Sequence, residues 1–137
     1  MKKSFLILLA IGTLFSACKK EAGEGGDASI SGKVILEKRL VLSNPEIVLY
    51  TAPAVDYEVF IIYGDGPGPD DRIRTNYDGE YEFPYLREGE YEVYVFSDDT
   101  TDAAINGQAA ETMAVRLSAT IGSRKTNLTL PDLKVYE

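Results

Sequence analysis

From about residue 29 onward, hydrophobic and polar positions alternate one by one, and no window keeps the three-to-four-residue spacing of an amphipathic helix. Residues 30–36 form a first strand, with Ile30, Val34 and Leu36 on one side and Ser31, Lys33 and Ile35 on the other. Residues 40–42 extend it or begin an edge, Asn44-Pro45 breaks the chain, and 47–50 is a short apolar run before Pro53. The strongest strand spans 55–63: Val55, Tyr57, Val59, Ile61 and Tyr63 alternate with Asp56, Glu58, Phe60 and Ile62. Its second half is apolar on both faces, as expected of a strand inside a sheet. The stretch GDGPGPDD (64–71) is too rich in proline and glycine for regular structure.

A short strand follows at 72–75, and Asp78-Gly79 is a hairpin signal. Tyr81, Phe83 and Tyr85 then point inward while Glu80 and Glu82 face water. After the turn at 87–89, Tyr91, Val93 and Val95 oppose Glu92, Tyr94 and Phe96. Residues 97–108 are a polar loop. Met113, Val115, Leu117 and Ala119 mark a strand with one buried face, and Thr126, Leu128 and Leu130 close the set before Pro131. Seven to eight short strands at this spacing predict an all-β Greek-key β-sandwich rather than a helical or α/β fold.

Composition narrows the chemistry. The 137 residues allow one domain, with 22 acidic against 14 basic residues, a net charge of −8, no histidine and a single cysteine. Without histidine there is no Ser-His-Asp triad and no His-ligated zinc. One cysteine makes no intrachain disulfide and no CxxC site. The acidic balance argues against a nucleic-acid partner, because phosphate neutralisation needs clustered Lys and Arg. The expectation is a protein that is not an enzyme and carries no resident cofactor.

The first 18 residues, MKKSFLILLAIGTLFSAC, change the picture. Lys2 and Lys3 precede an apolar run too short to span a bilayer comfortably, and Ser16-Ala17 stand directly before Cys18. This order resembles a bacterial lipoprotein signal with its lipobox, although Phe15 stands where leucine is usual. The resemblance implies that 1–17 is a signal peptide cleaved before Cys18 and that the cysteine carries diacylglycerol and a further acyl chain of the palmitate type. It also implies a lipid anchor in a membrane of the bacterial cell envelope, the outer membrane above all. Two or more acyl chains hold stably where one does not. Cleavage removes only two charged residues, both basic, so the mature chain is more acidic still. Residues 18–28 (CKKEAGEGGDA) are charged, glycine-rich and poor in large apolar groups, which predicts a flexible tether ahead of a domain spanning 29–137. Charge just after the lipidated cysteine also resembles the export signals of surface lipoproteins in Bacteroidetes-type bacteria.

Residues 74–96, RTNYDGEYEFPYLREGEYEVYVF, carry a second resemblance. Thr75, Asp78, Gly79, Tyr81, Phe83, Leu86, Gly89, Tyr91 and Val93 fit the pattern T-x-x-D-G-x-[YF]-x-F-x-x-L-x-x-G-x-Y-x-V. It resembles that of the carboxypeptidase regulatory-like, transthyretin-like group of β-sandwiches, which includes the collagen-adhesin B-type repeats. In this reading Asp78-Gly79 makes the turn, Phe83 and Leu86 fill the core, and Tyr91 caps nearby backbone as in a tyrosine corner. The resemblance implies a non-catalytic accessory or adhesive module. Its adhesin branch further suggests an isopeptide bond between a first-strand lysine and a late-strand asparagine, here Lys33 and Asn127.

Other constellations suggest partners. Nine acids lie between Asp78 and Asp102, and alternation sets Glu80 and Glu82 beside Glu90 and Glu92 on the solvent face of one hairpin. Asp65, Asp70 and Asp71 offer oxygen ligands suited to calcium, without EF-hand spacing. Of the nine tyrosines, Tyr57, Tyr81, Tyr85 and Tyr91 are expected in or near the core. Tyr63, Tyr77 and Tyr94 suit an aromatic surface for sugars or peptides. Asp99-Thr100-Thr101 resembles the O-glycosylation motif of Bacteroidetes-type secreted proteins, with Thr100 as acceptor. The leading expectation is a lipid-anchored module that meets an envelope protein or glycan. A calcium- or carbohydrate-binding module using loops 64–71 and 97–111 is the alternative.

Overall fold

The structure, a computed structural model, describes residues 21–39, 47–98 and 112–137. Cys18 and Thr100 lie outside these residues. Among the described residues there are nine strands and no helix: β1 (Glu24–Arg39), β2 (Val48–Pro53), β3 (Glu58–Tyr63), β4 (Asp71–Arg74), β5 (Glu80–Leu86), β6 (Gly89–Asp98), β7 (Thr112–Ile121), β8 (Asn127–Thr129) and β9 (Leu133–Tyr136). They form two sheets, as the alternating pattern predicts. The ninth strand is one more than that pattern yields, because Leu133 and Val135 supply only two inward positions after Pro131.

The first sheet is built around β1, whose length lets it pair with four strands. On one flank it pairs antiparallel with β5 and then with β2. The handover falls at Val34, whose N–H donates to Gly79 O at 2.8 Å while its carbonyl accepts from Ala54 N at 3.0 Å. On the other flank it pairs in parallel with β8 and then β9. The second sheet runs β4-β3-β6-β7, all antiparallel. β3 and β6 are neighbours although β4 and β5 separate them in sequence, a non-local pairing of Greek-key type. Between the sheets, Ile30, Val34, Phe83 and Leu86 from one side meet Val59, Ile61, Val93, Val95 and Ile121 from the other in a single apolar core.

The chain departs from the pattern where local backbone chemistry overrides alternation. Asp78-Gly79 does not close a hairpin, because β4 and β5 belong to different sheets. It closes a tight turn at the crossing between them, organised by Asn76: its Oδ1 accepts from Asp78 N and Glu80 N, both at 2.9 Å. Gly79 adopts φ +75°, and a Cβ there would lie 2.6 Å from Val34 O. Tyr85 follows Pro84 with φ +59°, which breaks the two-residue period; it stands 72% exposed and Leu86 takes the inward place. Val55 is exposed because a turn at 54–57 precedes β3, held by Thr75, whose Oγ1 accepts from Tyr57 N at 2.9 Å and donates to Ala54 O.

The sheet also takes in 24–28, which composition assigns to the tether. Here the glycines serve close approach rather than flexibility. Gly23 is buried, its N–H donates to Tyr91 Oη at 3.0 Å, and Tyr91 Oη donates to Arg87 O at 2.7 Å. Tyr91→Phe should therefore cost about 1–3 kcal/mol, since it leaves the Gly23 amide without its acceptor; urea denaturation measures this. Finally, Asn127 pairs with Ser29, its Oδ1 accepting from Ser29 Oγ at 3.1 Å, while Lys33 pairs with Glu80. Four residues along a strand is about 13 Å, so Lys33 and Asn127 are not placed for an isopeptide bond.

Candidate functional site

The inner positions of β3 and β6 fill the core, so their alternate residues must face outward. Those residues are unusually aromatic. The register aligns Arg72 on β4, Phe60 on β3, Tyr94 on β6 and Arg116 on β7 in one row across the second sheet. The Phe60 and Tyr94 rings stack with centroids 5.2 Å apart at 18°. Phe96 stands edge-on to both, 5.6 Å from each. Arg116 lays its guanidinium over Tyr94 at 4.8 Å and pairs with Glu92. At the opposite edge, Arg72 and Arg74 share Glu58 at 3.3 and 3.0 Å. The row is thus an aromatic centre between two guanidinium–carboxylate pairs. Tyr94 is only 5% exposed and Phe96 is 47% exposed, so Phe96 is the ring offered to a partner and the others support it.

Residues 64–70 border this face. Asp70 pins the loop to the end of β3: its N–H donates to Ile61 O at 2.9 Å and its Oδ2 accepts from Tyr63 N at 2.7 Å. Gly64 N donates to Glu90 O at 2.8 Å. Pro69 lines two grooves, one of ≈490 Å³ bordered by Tyr94, Glu92 and Arg116, the other of ≈380 Å³ beside Phe60 and Arg72.

The residues singled out from the sequence fall into three groups. Asp65, Asp70 and Asp71 border the grooves, but Asp70 Oδ2 and Asp71 Oδ1 each accept from a backbone amide, Tyr63 N and Arg72 N. Among the described residues no three acids come together in a group that could hold a metal ion. Tyr81, Phe83, Leu86 and Tyr91 lie in the core, and Gly89 faces Ala22. Of the acids, Glu80 and Glu82 lie on the first sheet and Glu90 and Glu92 on the second, so they form no common hairpin face. Tyr94 belongs to the aromatic face, whereas Tyr63 packs edge-on to Tyr91 and Tyr77 stands alone in solvent. Phe60, Phe96 and Arg116 were not legible as a site. Only the apolar outer positions at Phe60 and Ile62 hinted that something covers this face.

The fold and this surface define a β-sandwich domain with an aromatic outer sheet face. No family model matches the chain, and no curated protein matches it in sequence. Among solved structures it aligns with a protein of Pseudomonas aeruginosa described as a candidate carbohydrate binding protein. Identity is 10% over 85% of this chain and 92% of that one, with a TM-score of 0.47. It also aligns with an (S)-allantoin synthase at 18% identity and a TM-score of 0.41, over 83% of this chain but 43% of the enzyme. Both likenesses are too distant to bear on function.

Proposed function

We propose that the protein is a non-catalytic lipoprotein of the bacterial cell envelope, tethered through lipid on Cys18, and that its carboxypeptidase regulatory-like sandwich is an accessory or adhesive module for a glycan. The observation that carries this reading is the row Arg72–Phe60–Tyr94–Arg116 capped by Phe96. A half-exposed ring backed by two others presents a flat apolar surface, the complement of the C–H face of a sugar ring. The flanking guanidinium and carboxylate groups supply donors and acceptors for hydroxyls. The two grooves lengthen the surface to suit a chain rather than a single sugar. The lack of histidine supports a binding role over catalysis.

Full-length protein in detergent should bind members of a glycan panel. Phe96→Ala should weaken that binding roughly tenfold, about 1–2 kcal/mol, at unchanged melting temperature. The same binding in the presence of chelator is expected, since Asp70 and Asp71 already serve backbone amides. Loss of binding with chelator would move the site to the loop acids and calcium. Binding that ignores Phe96→Ala would remove the aromatic face from the account.

A further inference from the structure

A larger cleft, ≈600 Å³, shares no lining residue with the two grooves of the aromatic face, although Arg74 on its rim is tied through Glu58 to Arg72. It lies where β1, β5, the end of β4 and the connection from β8 to β9 meet. Two features of the fold shape it. The β8 ladder leaves β1 at Ser31 and the β9 ladder joins at Val34, so Gly32 and Lys33 have no strand partner on that flank. Beside the gap runs Leu130-Pro131-Asp132, outside both strands. The second feature is Tyr81, the β5 neighbour of Gly32. A Cβ at Gly32 would lie 2.4 Å from Tyr81 Oη, so the bare glycine is what makes room for the hydroxyl.

Tyr81 is 3% exposed, and its Oη is buried without a hydrogen-bond partner among the described residues. Such a group costs stability, and phenylalanine would fill the same volume without that cost. Burial, with a smaller contribution from the charge of Asp132, pushes its pKa up to about 12, so the hydroxyl keeps its proton at neutral pH.

We propose that this cleft is a second binding site, for a neutral hydroxylated ligand the size of one or two sugar units, with Tyr81 Oη as its buried anchor. The lining takes in Tyr81, Asn76, Arg74 and Asp132, the last near enough for its charge to act on Tyr81 Oη. Ser31, Lys33, Glu80 and Glu82 also border it but alternate with Gly32 and Tyr81, so their side chains stand on the other face of the sheet. Asp132 has no ion-pair partner among the described residues, whereas Arg74 is paired with Asp56 and Glu58. A guanidinium, an amide and a carboxylate around one opening supply both the donors and the acceptors that vicinal hydroxyls need. Ile73 and Leu130 add apolar surface for a C–H face. Charges of both signs on one wall and a neutral group at the floor disfavour an anion or a cation. Because Oη is out of contact with bulk water, the ligand must displace part of the wall to reach it. The Leu130–Asp132 connection, tied to β1 through Leu130 N to Ser31 O, has the least ladder structure holding it.

Full-length, ¹⁵N-labelled protein in detergent micelles would be titrated at millimolar concentrations with glucose, galactose, mannose and N-acetylglucosamine. At least one should shift the amides of Gly32, Tyr81 and Asp132 saturably. Tyr81→Phe should weaken that binding about tenfold while its melting temperature stays equal or rises, and Phe96→Ala should leave it unchanged. Asp132→Asn, on the surface, gives a second reading, with several-fold weaker binding expected. No saturable shift at these amides with any of the four sugars overturns the proposal, as does wild-type affinity in both Tyr81→Phe and Asp132→Asn. Either result leaves the aromatic face to stand or fall by Phe96→Ala.

Discussion

Alanine at Gly26 should lower the stability of the sandwich by about 3 kcal/mol or more, the upper range for forcing atoms into a packed interior. β1 carries a bulge here, since Glu24 and Ala28 both pair with Leu86. The chain between them passes so close to β5 that a Cβ on Gly26 would sit 1.9 Å from Leu86 O and 2.7 Å from Arg87 Cα. Both are backbone atoms and cannot rotate aside. Leu86 is itself 1% exposed at the edge of the core, so moving it disturbs the packing beneath. Alanine at Gly68 is the control, because a Cβ there meets nothing within 4 Å. Its expected change is within about 0.5 kcal/mol. Urea midpoints for the two variants measure the difference. Equal midpoints would mean that 24–28 is a loose tether after all.

The second large effect concerns the anchor. Cys18→Ala should shift the protein from the membrane fraction to the soluble fraction and abolish incorporation of labelled fatty acid. Each buried CH₂ of an acyl chain contributes about 0.8 kcal/mol, so two long chains make attachment effectively all-or-none. A variant that stays membrane-bound at the wild-type level sinks the lipoprotein reading. Docking of the first strand gives this anchor a geometric consequence. Ala22 already packs against the core, so only three residues stand between Cys18 and the folded body, a reach of about 14 Å when fully extended. The sandwich would then ride close to the bilayer. Loop 64–70 shares the end of the sandwich that holds Gly23, through Gly64 to Glu90 and Gly23 beside Tyr63. Phe96 lies toward the other end of β6, which a lipid on Cys18 would point away from the membrane.

How much of this was readable in advance depends on the kind of signal. Val59, Ile61, Val93 and Val95 are each fully buried, and their period of two revealed both strands and faces. Tyr85 was misplaced because a single left-handed residue after Pro84 inverts the period, and alternation alone does not contain backbone angles. Asn76 carries no signal in the sequence because its role is to accept two amides that become neighbours only when the turn forms. The same holds for the glycines at 23–26. A glycine-rich segment reads as flexible until the strand that it lies against is known.

The aromatic face shows the limit most clearly. Phe60, Tyr94 and Arg116 are separated by 34 and 22 residues in the chain, and nothing local links them. Their common row arises from the registers of β3 with β6 and β6 with β7. Likewise Gly32 and Tyr81 meet only because β1 pairs with β5. The order of residues by itself determined the all-β class, the acidic surface, the absence of histidine chemistry and the arrangement around Cys18 that suggests an anchor. These depend on composition and on neighbours one or two positions apart. The tertiary structure alone decided which sheet each strand joins, which glycines are close contacts, and where aromatic rings and an unpartnered hydroxyl gather. Those depend on register between strands distant in sequence, which is set by how the whole core packs.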